Sequence, residues 1–226
     1  MTGVQTCALP ILYRLTINGA VHEIAEDGSL LDYLRDTADI TSVKNGCAEG
    51  VCGACTVLID GRTARACIQK ISRLDGKSVT TLEGLSERER DIYAWAFGAA
   101  GAVQCGFCIP GMVMSAKGLL DVNASPSTAE IKAALKGNLC RCTGYVKIEK
   151  AVAMAAEALR DPGFLPPKDP FDRPYALGER MPRLDAREKT LGTGKYVEDL
   201  KMPGMLYGAA LRSEEHTSEL QSRQVI

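Results

Sequence analysis

Cysteines at positions 47, 52 and 55, with four and two residues between them, are followed by a fourth at position 67, and this spacing constrains the chain more than any other feature. Thiols placed so close together converge only if the backbone between them loops around a common point. Four thiolates at this spacing are the plant-type pattern for a 2Fe-2S cluster. Gly46, Gly50 and Gly53 border or lie within the loop. Without Cβ they can take positive φ and bring backbone amides close to sulfur. The stretch reads as a cluster cradle with Cys47, Cys52, Cys55 and Cys67 as metal ligands.

A second set lies further on, in Gln104-Cys105-Gly106-Phe107-Cys108 and Asn138-Leu139-Cys140-Arg141-Cys142-Thr143-Gly144-Tyr145. Cys105, Cys108, Cys140 and Cys142 each sit in loops bordering expected helices, so four thiolates can meet at the loop ends. Structural zinc also takes four thiolates, although its sites usually pair Cys-x2-Cys knuckles. Disulfides would suit an exported chain, but no segment resembles a secretory signal, and reduced thiols fit a cytoplasmic location. Both alternatives stand beside the iron-sulfur reading at this point.

The two ends are expected to be foreign to the fold. The opening Thr-Gly-Val-Gln-Thr-Cys-Ala-Leu-Pro-Ile and the closing Arg-Ser-Glu-Glu-His-Thr-Ser-Glu-Leu-Gln-Ser can be back-translated as reverse complements, like one sequencing adapter read in both directions. Residues 1–11 and 212–226 are therefore read as artefact and should be poorly packed. Setting them aside removes Cys7 and His216, and leaves eight cysteines. The remaining composition excludes several classes. Lys+Arg 27 against Asp+Glu 28 gives a net charge of -1, which argues against a nucleic-acid or polybasic membrane partner. No apolar run approaches a membrane span.

Hydrophobic alternation predicts a strand over Leu12–Ile17, a turn at Asn18-Gly19 and a returning strand over Val21–Ala25. Ser29 is expected to cap a helix to about Asp36 with Leu30, Leu31 and Leu34 on its apolar face. Thr56–Ile59, the Asp60-Gly61 turn and Thr63–Ile68 read as a second hairpin, and Val79–Leu82 as a further strand. Residues 12–85 thus form a β-grasp, ferredoxin-like arrangement. Ser86, Pro110, Ser127 with Glu130, and the stripe Ile148, Val152, Ala155, Ala156 and Leu159 mark four helices over residues 86–160. The expected fold class is α+β: a β-grasp 2Fe-2S domain, an all-α four-helix 2Fe-2S domain, a Pro-rich linker over 161–181, and over 182–211 the truncated start of a third domain.

Other conspicuous residues carry less. Arg141 reads as solvated, Trp95 as core, and His22 as an exposed strand residue with no catalytic partner. Gly192-x-Gly194 lacks the third glycine of a dinucleotide motif.

The order of cysteine motifs, ending in Cys-Arg-Cys-Thr-Gly-Tyr, resembles the iron-sulfur portion of the molybdenum hydroxylases, the xanthine dehydrogenase and aldehyde oxidoreductase family. The likeness covers about residues 12–160, and Pro182–Leu211 is similar to the opening of that family's molybdopterin-binding portion. It implies that an aldehyde or heterocyclic carbon is hydroxylated at molybdenum, with catalytic residues beyond residue 211. The Cys105, Cys108, Cys140 and Cys142 cluster would then take the electrons, and the Cys47, Cys52, Cys55 and Cys67 cluster would pass them to a flavin domain or an external acceptor. Gln104 and Cys142 become candidates for touching the molybdopterin. Implied partners are a molybdopterin domain in the same chain and a second copy in a homodimer. A free-standing ferredoxin-like electron carrier is the alternative, and it leaves the helical cysteines without a role.

Overall fold

The structure, a computed structural model, describes residues 12–167, 176–179, 181, 183–206 and 208. Both end segments read as adapter, part of the linker and residues 182, 207 and 209–211 lie outside the described residues. One compact unit runs to Gly194, and a short second one begins at Lys195. In the second, a single turn of 3-10 helix over Val197–Asp199 is closed by the Tyr196 amide donating to Asp199 Oδ2 at 3.0 Å.

Two tight hairpins frame the sheet of the first unit. Strands β1 (Tyr13–Ile17) and β2 (Ala20–Ile24) pair antiparallel with Ile17 opposite Ala20. Asn18 and Gly19 turn between them at φ 50 and 87, the double positive φ of a turn whose twist suits paired strands. β3 (Thr56–Ile59) and β4 (Arg62–Arg65) repeat the device through Asp60 and Gly61. The late strand β5 (Ser78–Thr80) inserts between the hairpins, parallel to β1 and antiparallel to β3, giving the order β2-β1-β5-β3-β4.

Across one face lies α1 (Leu30–Asp32), which continues as a π turn over Tyr33–Thr37. Leu30, Leu31 and Leu34 bury there with Leu15, Ile17, Val57 and Val79. Ser29 does not cap this helix as expected: its side chain makes no capping bond, and its backbone instead bridges to Lys70. His22 is half-buried rather than exposed, because its Nδ1 meets the Tyr33 hydroxyl at 2.9 Å.

The second core is helical: α2 (Glu87–Ala100), α3 (Ile109–Leu120), α4 (Thr128–Leu135) and α5 (Tyr145–Arg160) bury Ile92, Phe97, Met112, Ile131, Ile148 and Val152 together. Ser86 with Glu89, and Ser127 with Glu130, each close a reciprocal capping box. Trp95 packs on Phe164 with ring centroids 4.7 Å apart. Strand β3 serves both cores, because its side chains alternate between faces: Val57 joins the sheet core and Leu58 the helical one. Helix α3 can lie against β3 because its contact stripe is small. A Cβ on Gly111 would sit 2.4 Å from the Gly53 carbonyl oxygen, and one on Gly118 2.6 Å from Thr63 Cγ2. Further on, α6 (Ala186–Leu191) packs on α2 and α3, and Arg187 pairs with Asp91 at 2.5 Å. No helix among the described residues is long and apolar enough to cross a membrane.

Glu89 links the α2 cap to α3 through an ion pair with Lys117 at 3.1 Å. Burial works against its carboxylate, but the Ser86 hydroxyl and amide and the Lys117 ammonium outweigh it and hold the carboxyl below its ordinary range. A depressed carboxyl stabilises the fold above its unfolded pKa, and that contribution disappears as pH falls through the folded value. Glu89→Gln is therefore expected to cost about 1 kcal/mol at neutral pH in urea unfolding, with the gap from the parent closing as carboxyl groups protonate. A gap that persists unchanged to about pH 2 would contradict this, since both proteins are uncharged there at this site.

Candidate metal centres

The first thiol set lies on the loop between α1 and β3, with Cys67 brought back toward it. The strand expected to carry Cys67 stops at Arg65, and Cys67 sits in a 3-10 turn over Ala66–Ile68. The Ala66 amide donates to the Cys55 carbonyl at 3.1 Å, and this ties the turn to the loop. The loop amides are aimed at sulfur. Glu49 N and Cys52 N each donate to Cys47 Sγ at 3.4 Å, and Gly50 N donates to Cys67 Sγ at 3.2 Å. The amides of Cys52, Glu49 and Val51 lower the Cys47 thiol to about 6. Burial pushes Cys55 up to about 12 and raises Cys52 as well. A cation reverses such a rise, because it supplies the charge partner that desolvation withdraws.

Gly53 is the tightest position in this loop. It has φ 71, and a Cβ there would lie 2.3 Å from the Gly137 carbonyl oxygen. Gly50 also has positive φ, while Gly46 does not: its lack of a side chain makes room for Cys52 Sγ, which a Cβ would meet at 2.9 Å. Ala48 takes φ 55 within the same loop, a left-handed conformation that a residue with Cβ adopts only under constraint.

The second set is held by helix ends. Cys108 stands at the N-cap position of α3, and Cys140 and Cys142 lie in the connection from α4 to α5. Cys142 Sγ is 3.6 Å from Cys105 Sγ. Burial raises the Cys108 thiol, and the proximity of Cys140 adds to it. Burial also opposes the Cys140 thiolate, but the amides of Thr143 and Cys142 outweigh it and lower the group. Cys142 is raised by sharing a hydrogen bond with Cys105. The Tyr145 hydroxyl accepts from Cys140 N at 3.2 Å and donates to the Asn138 carbonyl at 2.8 Å, bracing this loop from α5.

In both sets the thiols hydrogen-bond in pairs, Cys47 with Cys52, Cys55 with Cys67, Cys105 with Cys142, and Cys108 with Cys140, while charge interaction also crosses the pairs, from Cys67 to Cys52 and from Cys105 to Cys108. Pairs suit a two-iron cluster, in which four cysteines are shared between two irons. The tetrahedron of structural zinc draws all four sulfurs to one centre. The two sets fit 2Fe-2S clusters on that ground and on the amides aimed at their sulfurs. Among the described residues none of the eight cysteines is in a disulfide.

Gln104 is exposed beside the exposed Cys105, and Arg141 is exposed between Cys140 and Cys142. Lys189, which sequence reasoning missed, crosses this loop: its stem fills the space of a Gly106 Cβ, and its Nζ donates to the Cys105 carbonyl at 3.0 Å. The two thiol loops also touch each other. Leu139 N donates to the Cys52 carbonyl at 2.9 Å, and Arg65 donates to the Gly137 carbonyl at 3.0 Å. No spacing rule flags such contacts, although Gly111, Ser115 and Gly118 form a small-residue stripe that the sequence displays.

Family models agree with this division. A 2Fe-2S iron-sulfur cluster binding domain matches residues 20–92, and a 2Fe-2S binding domain matches residues 81–153. The nicotinate dehydrogenase small FeS subunit of Eubacterium barkeri is 46% identical over 150 residues, which cover 65% of this chain and 96% of that subunit. Aldehyde oxidoreductase of Megalodesulfovibrio gigas is 40% identical over 216 residues, covering 88% of this chain but only 23% of that enzyme. Among solved structures, aldehyde oxidoreductase from Desulfovibrio gigas superposes with a TM-score of 0.75 at 40% identity, over 85% of this chain and 22% of that one. Quinoline 2-oxidoreductase from Pseudomonas putida 86 matches with a TM-score of 0.61 at 41% identity, over 66% of this chain and 96% of that one.

A sheet bearing one thiol set and helices bearing another thus define a protein with two 2Fe-2S domains. The chain belongs to the molybdenum hydroxylase family of xanthine dehydrogenase and aldehyde oxidoreductase, as an iron-sulfur electron-transfer component of an oxidoreductase.

Gly53→Ala places a Cβ against the Gly137 carbonyl in a left-handed conformation, and is expected to destabilise the protein by more than about 2 kcal/mol. Thermal unfolding followed by circular dichroism measures this. A variant as stable as the parent would show that the two loops do not approach as closely as described.

Proposed function

We propose that Cys47, Cys52, Cys55 and Cys67 hold one 2Fe-2S cluster and that Cys105, Cys108, Cys140 and Cys142 hold a second. Each cluster supplies a one-electron carrier whose potential answers to net charge, hydrogen bonds to sulfur and solvent exposure. The chain's residues control those quantities. The amides of Glu49, Gly50, Cys52 and Thr143 stabilise charge on sulfur, while Cys55 is buried and Cys108 half-buried. The observation that carries this reading is the arrangement of eight thiols as two sets of two pairs.

The finer assignments follow. Residues 12–85 are the β-grasp plant-type domain, 86–160 the four-helix domain, 161–181 a linker, and 182–211 the start of a molybdopterin-binding portion. Hydroxylation of an aldehyde or heterocyclic carbon is assigned to that portion. Its electrons enter at the helical set, whose Cys105 and Cys142 are exposed, with Gln104 beside them as a molybdopterin contact. They leave from the plant-type set to a flavin domain or external acceptor. A reducing cytoplasm suits eight ligating thiols. A free-standing carrier would give no role to residues 183–194, whose Lys189 lies over the Cys105 loop.

The quartets share no residue, so Cys108→Ser is expected to abolish the paramagnetic resonance signal of the helical cluster and halve the iron while sparing the plant-type signal. Loss of both signals, or retention of both, would contradict the assignment.

A further inference from the structure

Asn138 is a buried polar residue that binds to both thiol loops, and cluster ligation does not account for it. It is 2% exposed, and every polar atom it owns is engaged. Its backbone amide donates to the Leu135 carbonyl at 2.9 Å, and its carbonyl accepts from the Tyr145 hydroxyl at 2.8 Å. The side-chain Oδ1 accepts from the buried Ser115 hydroxyl at 2.7 Å. The Nδ2 donates to the Gly53 carbonyl at 2.9 Å and to Thr56 Oγ1 at 3.3 Å. Because a carbonyl can only accept, the Gly53 bond fixes which end of the amide faces the plant-type loop. Gly53 lies between Cys52 and Cys55, and Asn138 precedes Cys140 by two positions. The next residue, Leu139, donates to the Cys52 carbonyl at 2.9 Å.

We propose that Asn138 is a positioning residue that sets the separation and mutual orientation of the two thiol quartets. Two buried acceptors and a buried hydroxyl donor meet at one point, and a primary amide is the side chain that can donate twice and accept from the hydroxyl there. Aspartate keeps the shape but offers no donor and turns charge toward the Gly53 carbonyl. Alanine leaves the buried Ser115 hydroxyl without its acceptor and the Gly53 carbonyl with only its bonds from Thr56, so this link between the two loops is lost, and a satisfied polar network of this kind specifies a single arrangement. Electron exchange between centres falls steeply with separation, so a fixed geometry here serves the relay. The inference rests on the cluster assignments proposed above.

Its test combines two readouts on the full chain. In anaerobically prepared protein with both clusters reduced, paramagnetic resonance at low temperature reports the magnetic splitting between them, which depends on distance and orientation. Asn138→Ala and Asn138→Asp are expected to keep both signals but change that splitting. In iron-free protein, hydrogen exchange at the Leu139 amide is expected to accelerate about tenfold or more as the clamp is lost. Ser115→Ala, which removes one bond, should shift both readouts in the same direction by less, and it decides the matter if the Asn138 variants fail to assemble a cluster. Ile92→Ala, destabilised in the helical core away from the seam, should keep the parent splitting. Unchanged splitting and unchanged exchange in the Asn138 and Ser115 variants would overturn the inference, as would an equal change of splitting in Ile92→Ala. A parent protein that lacks two iron-sulfur signals would instead overturn the cluster assignments, and the exchange measurement would still decide whether Asn138 clamps the loops.

Discussion

Four sulfurs drawn close together repel once they ionise, and the rest of the structure is arranged around making that tolerable twice in one chain. Backbone amides do part of the work: the donors to Cys47, Cys67 and Cys140 come from loop residues whose conformations leave their N–H groups pointing inward. On the cluster assignment proposed here iron supplies the rest, since burial disfavours the thiolates of Cys55 and Cys108. On the same assignment, hydrogen-bonded pairs of thiols would share the charge between two irons, and the regular elements would serve mainly to hold the loop ends still.

That requirement explains the architecture more directly than the sheet or the helices considered separately. Strand β3 leaves the plant-type loop at Thr56 and feeds Val57 to one core and Leu58 to the other, so the loop is anchored from both sides. Helix α3 begins at Cys108 and lies along the same strand, because Gly111 and Gly118 present no side chain where the backbones meet. The two thiol sets are thus carried by elements that touch, which a one-electron relay requires of its stations. Helix α6 then closes over the loop of Cys105 through Lys189.

Much of this was legible in the sequence because it is encoded locally. The turns at Asn18-Gly19 and Asp60-Gly61, the capping boxes at Ser86 and Ser127, and Pro110 in the first turn of α3 each follow from the chemistry of a few neighbouring residues. The order of the cysteine motifs pointed to both sites. Local rules failed where distant chain decided the outcome. Ser29 reads as a cap, yet Lys70 claims its backbone. Cys67 reads as part of a strand, yet the demand that its sulfur return to the loop turns the chain at Ala66. His22 reads as exposed until Tyr33 on α1 covers it. Asn138, although part of a cysteine motif, and Lys189 carry no role that the sequence reveals, since isolated polar residues have no periodicity and their importance lies in partners 85 and 84 positions away.

The central claim is that the eight cysteines hold two separate binuclear iron-sulfur clusters. Iron, zinc and acid-labile sulfide analysis of anaerobically purified protein, with visible absorption recorded on the same sample, tests it most directly. The account predicts about four irons and four sulfides per chain, with charge-transfer absorption that bleaches on reduction. Colourless protein carrying zinc, or iron and sulfide at half that content with all eight cysteines intact, would contradict it.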